Sequence, residues 1–205
     1  MHKLATFYFL RHGETEYNIK HIIQGQVDSP LTAEGVEDIK KLAIKFRDIK
    51  FDLAFSSDLL RAKRTAEIIA LEHKLAVETT KLLRERSFGK YEEQHNSVLQ
   101  AYYKLFEHLS DEEKFTFSKD DVESDEKLMA RVITFLRETA IAYPGKTILV
   151  ASHGTVLRVL LVHLGHATRK TLPSRSIDNL AWAKIESDGV DFFVKETEGV
   201  RFTKE

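Results

Sequence analysis

Two His-Gly pairs follow directly on apolar runs. Arg11-His12-Gly13-Glu14-Thr15-Glu16-Tyr17-Asn18 comes after residues 6–10, and Ser152-His153-Gly154 comes after residues 147–151. A neutral imidazole whose second nitrogen is hydrogen-bonded can act as a nucleophile. A neighbouring guanidinium can hold a phosphate through two parallel bonds. Gly13 lets the backbone approach a ligand. The N–H of Gly154 points from a helix start, where anions are favoured. A third stretch, Ser56-Ser57-Asp58-Leu59-Leu60-Arg61-Ala62, puts Arg61 in the first helical turn after a strand, able to reach back over the strand end. A fourth, Leu83-Arg84-Glu85-Arg86-Ser87-Phe88-Gly89, supplies the carboxyl of Glu85 from an irregular segment. Two arginines, two histidines, a helix N-terminus and one carboxyl suit phosphoryl transfer. The cations stabilise charge on the equatorial oxygens, and the acid protonates the leaving alkoxide.

These residues need elements to carry them. Residues 6–10, 51–55 and 147–151 read as buried strands. Thr32 is expected to cap a helix through Val36, Ile39, Leu42, Ala43 and Phe46. Ser57 or Asp58 is expected to cap the next, with Leu59, Ala62, Ala66 and Ile69 inward. A short strand is expected near 77–79, irregular chain over 82–94, a helix over 95–109 and an acidic loop over 110–123. Ser124 can cap a long helix that stops at Pro144-Gly145. The helix after His153 is expected to end at Gly165. Residues 180–185 and 192–195, split by Ser187-Asp188-Gly189, signal a hairpin.

Strands alternating with helices predict an α/β fold: a three-layer α/β/α sandwich on a mainly parallel sheet, with a small helical insert over the active site. Ligands of such sheets sit outside the carboxyl ends of the strands. The chain has 205 residues, 42% of them hydrophobic, with 31 basic against 32 acidic residues. That length suits a single domain over 1–205, with residues about 90–123 as a helical or loop insert forming a lid. A net charge of −1 excludes a broadly basic nucleic-acid binder. No run reaches the roughly 20 apolar residues of a membrane span. The absence of cysteine excludes disulfides and thiolate metal sites. A cytoplasmic enzyme without a signal peptide is the expectation. No nucleotide-binding loop of the Gly-x-x-x-x-Gly-Lys type occurs.

Taken together and in this order, the motifs resemble the histidine phosphatase superfamily, in its phosphoglycerate mutase-like branch. The matching stretches are Arg11 to Asn18, Gln24-Gly25 with Asp28-Ser29-Pro30-Leu31-Thr32 and Gly35, residues 56–66, Glu85 with Phe88-Gly89, and Ser152-His153-Gly154. The resemblance implies that His12 is the nucleophile and forms a phosphohistidine. It implies that Arg11, Arg61 and His153 bind the phosphoryl group, helped by Asn18 and the N–H of Gly154. Glu85 would donate and then recover a proton, and Gln24 and Gly25 would border the substrate. No metal and no cofactor are implied. His12 is expected bare at its strand tip.

The implied activity is metal-independent hydrolysis of small phosphomonoesters. The alternatives are a phosphoglycerate mutase-type transferase and a non-catalytic phospho-ligand binding module. Family mutases carry arginines for the substrate carboxylate in a longer insert, and no arginine occurs here between residues 87 and 130. Family phosphatases often read Phe-Gly-x-Trp-Glu-Gly. Here Tyr91 replaces the Trp and Glu93 the last Gly. Between 107 and 126 stand nine acidic residues and two lysines. Placed over the pocket, they would repel polyanions and select a monophosphate with a neutral or apolar remainder. Arg84, Arg86, Lys63 and Arg64 read as solvated, with contact to substrate as the alternative for Arg86. His163 and His166 read as solvent-facing or capping, and the Tyr102-Tyr103 and Phe192-Phe193 pairs as packing.

Overall fold

A computed structural model describes residues 3–203. Its centre is a six-stranded sheet of β1 (Ala5–Arg11), β2 (Leu53–Ser57), β3 (Val77–Thr80), β4 (Thr147–Ser152), β5 (Ile177–Ser187) and β6 (Phe192–Val200), in the order β3-β2-β4-β1-β5-β6. The first four strands in that order run parallel, and β5 and β6 are antiparallel. Helices cover both faces, so the expected α/β architecture is observed.

Alternation along the strands explains the two layers of core. Phe7, Phe9, Ile148 and Val150 face a cluster completed by α6 (Asp125–Ala142) and α7 (Gly154–His163). Tyr8, Leu10, Leu149 and Ala151 face α2 (Ala33–Lys45) and α3 (Leu60–Glu72). Thr32 caps α2 by accepting the Gly35 N–H at 2.8 Å, and Ser124 caps α6. The cap of α3 differs from expectation. Its N-cap is Leu59, without a side-chain bond. Ser57 Oγ accepts the Leu59 N–H one residue early, at 3.3 Å, and Asp58 is held by Arg84 instead.

Two further corrections concern the stretch between β3 and α6. The expected helix over 95–109 shrinks to α4 (Leu99–Lys104), because the chain turns after Lys104 and brings Phe106 within 5.1 Å of Tyr102 and 4.6 Å of Phe117. The expected loop over 110–123 contains α5 (Asp111–Thr116), opened by a Ser110/Glu113 capping box. Ile23, Phe88, Leu99, Tyr102 and Val122 give this segment a small core of its own. Among the described residues, no helix is long and apolar enough to cross a membrane.

β1 and β4 are neighbours, yet the chain leaves them in opposite directions across the sheet: β1 leads past β4 to β2, and β4 leads past β1 to β5. Such a switch point opens a crevice at the carboxyl ends. Arg11 pairs in register with Ser152, so His12 and His153 leave the sheet at the same level.

Candidate active site

The crevice is a cleft of about 440 Å³ at the ends of β1 and β4. His12 forms its floor. Its Nδ1 lies 2.7 Å from the carbonyl of Gly13. A carbonyl only accepts, so Nδ1 carries the proton and Nε2 holds a lone pair. The ring is 3% exposed, recessed rather than bare at the strand tip as expected. Burial first, then the charges of Arg61 and Arg11, hold it well below the usual histidine range. It is therefore neutral at pH 7.

The loop after His12 is locked by its own side chains. Thr15 Oγ1 accepts the Asn18 N–H and caps α1 (Glu16–Ile19), and Asn18 Oδ1 accepts the Thr15 N–H in return. Asn179 Nδ2 donates to that same Oδ1 at 3.3 Å and to the His12 carbonyl at 3.1 Å. With its oxygen so used, Asn18 has its amide N–H₂ left for the cleft. From α3, Thr65 Oγ1 accepts the Gly13 N–H at 3.0 Å.

Arg61 is 1% exposed. Its Nε points at His12 Nε2 from 3.3 Å, and its terminal nitrogens donate to the carbonyls of Val27 and Gly25, both at 2.7 Å. Burial draws it down to about 10, so it stays cationic. Gly25 aims its carbonyl there with φ +50°, and a Cβ would fall 2.1 Å from a Glu92 carboxyl oxygen. Arg11 donates to the Ile177 carbonyl at 2.6 Å, while its Nε has no partner. It lies along the first turn of α7, close against Gly154: a Cβ there would sit 3.2 Å from Arg11 Cδ and would press the guanidinium aside by a few tenths of an ångström.

Glu85 reaches the same floor. Its Oε1 accepts the Arg86 N–H at 2.8 Å, and its Oε2 accepts the Thr155 N–H at 3.1 Å. Both bonds come from backbone, so the carboxyl is aimed by chain path. Gln24 borders the cleft with a buried Oε1 that has no partner.

Eight of the expected site residues line the cleft: Arg11, His12, Asn18, Gln24, Gly25, Arg61, Glu85 and Gly154. The ninth, His153, stands behind the floor. It is fully buried, its ring centroid is 5.3 Å from that of His12, and neither ring nitrogen has a partner. Burial, then Arg61, keeps it well below the usual histidine range.

The solvated reading of Arg84 and Arg86 is wrong. Arg84 clamps Asp58 through two bonds of 2.7 Å. Arg86 is 6% exposed, ion-paired to Asp125, and lines the cleft. The acidic screen is also overturned, since none of the residues 107–126 lines the cleft. Asp120 holds Lys90 and the Tyr91 hydroxyl, Glu123 holds Arg131, and Asp125 holds Arg86 and Arg169. Sequence reasoning missed Tyr103, Asn179 and Arg158, which also line the cleft. Arg158 had a readable signal: it lies one helical turn beyond Gly154, on the same face.

Residues 7–198 match the model of the histidine phosphatase superfamily (branch 1). The chain is 34% identical over 190 residues to "Putative phosphoserine phosphatase 2" of Hydrogenobacter thermophilus, covering 91% of each chain. It is 27% identical to the adenosylcobalamin/alpha-ribazole phosphatase of Escherichia coli, covering 87% of this chain and 88% of that one. The crystal structure of a phosphoglycerate mutase from Bacillus anthracis superposes with a TM-score of 0.80 at 29% identity, over 97% of this chain and 94% of the other.

Proposed function

This chain belongs to the histidine phosphatase superfamily, and we propose that it hydrolyses small phosphomonoesters through a phosphohistidine on His12. The observation that carries this reading is the tautomer of His12. The Gly13 carbonyl holds the proton on Nδ1, which leaves Nε2 as a lone pair on the floor of a cleft walled by Arg11 and Arg61.

In the first step Nε2 attacks phosphorus, and the P–N bond forms as the ester P–O bond breaks. Glu85 gives its proton to the departing alkoxide, which leaves as the alcohol. In the second step water attacks phosphorus and passes a proton to Glu85. The P–N bond breaks, and inorganic phosphate leaves. Arg11 and the unspent N–H groups of Arg61 face the phosphoryl oxygens, while the neutral His153, buried behind the floor, backs the His12 ring. The Asn18 amide and the Gly154 N–H complete the cradle. The long 3.3 Å contact from Arg61 Nε to His12 Nε2 is exchanged for a phosphoryl oxygen as substrate enters. Guanidiniums supply the charge that neutralises the transferring group.

The test is hydrolysis of p-nitrophenyl phosphate and 3-phosphoglycerate with EDTA present, wild type against His12→Ala. Both activities are expected to fall by about a thousandfold or more in the variant. Unchanged hydrolysis in His12→Ala would remove the mechanism. Isomerisation of 3-phosphoglycerate outrunning its hydrolysis would make the chain a mutase. Binding without turnover would make it a phospho-ligand module.

A further inference from the structure

The β1–β5 ladder ends at the pair Leu10↔Trp182, two residues short of His12. From there β5 departs from a regular strand. Between its pairs with β6, Ile177↔Val200 and Trp182↔Glu198, residues 178–181 stand opposite Gly199 alone. The surplus residues form a bulge, and bulges beside active sites re-aim side chains. Leu180 within it is held at φ +61°, a left-handed conformation that a bulky side chain rarely adopts. Strain kept beside a reactive group marks a place where geometry matters. What the detour achieves is the placement of Asn179. Its Nδ2 donates to the His12 carbonyl at 3.1 Å and to Asn18 Oδ1 at 3.3 Å, and the Leu180 N–H adds a longer bond of 3.4 Å to the same carbonyl. Both oxygens only accept, so the Asn179 amide can stand one way round, nitrogen toward them. Asn18 Oδ1 is itself fixed as the oxygen, because the Thr15 N–H at 3.1 Å and the Thr15 hydroxyl at 3.0 Å also donate to it.

One side chain of β5 therefore grips both the backbone of the nucleophile and the amide proposed to bind the phosphoryl group. Asn179 lines the cleft, yet its N–H₂ is spent on these two oxygens, and its own oxygen would repel a phosphoryl group. It works through its neighbours. A ladder continued in register would set Leu180 opposite His12 and could offer that carbonyl at most a backbone N–H, with nothing reaching Asn18. Resting on the phosphatase reading above, we infer that Asn179 is a positioning residue of the transfer step: it fixes His12 and the Asn18 amide relative to each other, so that the ring meets phosphorus in line while the amide meets a phosphoryl oxygen. A misplacement of about 1 Å at a reacting centre costs on the order of 100-fold in rate. Entering and leaving groups flank phosphorus in line only in the transition state, so a loosened His12–Asn18 pair harms that state more than it harms the bound ester.

Two substitutions test this. Asn179→Leu keeps the size and removes the donor. Asn179→Asp keeps the shape and turns acceptor oxygens on the His12 carbonyl and Asn18 Oδ1. Rates are read with p-nitrophenyl phosphate. Binding is read with orthovanadate, which copies the five-coordinate phosphoryl group, and with inorganic phosphate, which copies the ground state. In Asn179→Leu, kcat and kcat/KM are expected to fall together by about 10-fold, and in Asn179→Asp by about 100-fold. Asn179→Leu is expected to weaken vanadate about 10-fold and phosphate by less than about 3-fold. In an Asn18→Ala background the same substitution should weaken vanadate only about 3-fold, since part of what Asn179 holds is already gone. Should Asn179→Leu fail to fold, the isosteric Asn179→Asp carries the same comparison. A rise in KM alone, equal losses for vanadate and phosphate, or an equal loss with and without the Asn18 side chain would overturn the inference. So would a lower melting temperature with an unchanged vanadate-to-phosphate ratio, the mark of a merely structural side chain. A wild type that bound both anions but hydrolysed no monoester would refute the phosphatase reading, and the split between vanadate and phosphate would still decide whether Asn179 sets the cradle.

Discussion

The Nε of Arg61 and the Nε2 of His12 face each other across 3.3 Å, with the proton on the arginine side. One guanidinium thus does two things. Its N–H occupies the Nε2 lone pair of His12 until substrate enters, and its charge resists protonation of the ring. Both follow from α3 starting immediately after β2, which turns the first helical turn back over the strand ends.

Replacing Arg61 by Lys keeps the charge but not the planar fork. The carbonyls of Gly25 and Val27, now each bonded to its own guanidinium nitrogen, then share one ammonium that cannot match both positions, at a cost of about 1–3 kcal/mol. The expected outcome is a fall in kcat/KM of about 100-fold or more on any phosphomonoester, together with a lower melting temperature. A Lys variant with wild-type rates would show that bidentate geometry at this position does not matter.

Glu85 is proposed to protonate the leaving oxygen, so its worth must depend on the leaving group. Glu85→Gln removes the proton and keeps the size. For alkyl phosphates, whose alkoxides are poor leaving groups, kcat is expected to drop about 100- to 1,000-fold. For p-nitrophenyl phosphate, whose phenolate departs unaided, the first step should fall far less. The check is a series of substrates of graded leaving-group acidity, with the dependence steepening in the variant. A uniform loss across the series would move Glu85 from acid to scaffold, a role its two bonds to backbone N–H groups could also fill.

How much of this was legible in the residues depends on the range of the contact. Strands such as β1 and β4 declare themselves by unbroken apolar runs, and Thr32 and Ser124 by capping spacing, because both signals are local. The meeting of His12 with His153 needed only the rule that parallel strands place their ligands at their carboxyl ends. Asp58 misled because its competing partner, Arg84, lies 26 residues away and offers two charge-assisted bonds that a helix cap cannot match. The acidic stretch misled for the same reason. Three of its nine carboxylates, Asp120, Glu123 and Asp125, are taken by Lys90, Arg131, Arg86 and Arg169, none of them visible as a partner in a local window. The departure at Glu93 is legible only in hindsight. The residue sits at φ +65°, a conformation that suits the glycine it replaces, and its carboxyl accepts a bond from the Tyr17 hydroxyl at 3.3 Å.

The two cleft histidines also tie the stability of the fold to pH. Both have folded-state proton affinities pushed well below the ordinary value of 6.5, by burial first and Arg61 next. The unfolded chain binds their protons at about pH 6.5 and the native state does not. Stability is therefore fully present above about pH 6.5 and is lost as pH falls below it, toward the depressed folded values. Each histidine contributes a slope of up to about 1.4 kcal/mol per pH unit in that window. For a chain of this size that is roughly 3–6 °C in melting temperature per unit per histidine. Paired carboxylates such as Asp52 and Asp58, held below 3.8, add their own losses only in more acidic solution. Melting curves between pH 8 and 5 should fall once pH drops under about 6.5, and His153→Asn should make the slope shallower, leaving the shares of His12 and of His73 and His163, which burial also lowers. A melting temperature flat through that window would mean that both rings take up protons in the folded state, and His12 could then not be the resting nucleophile.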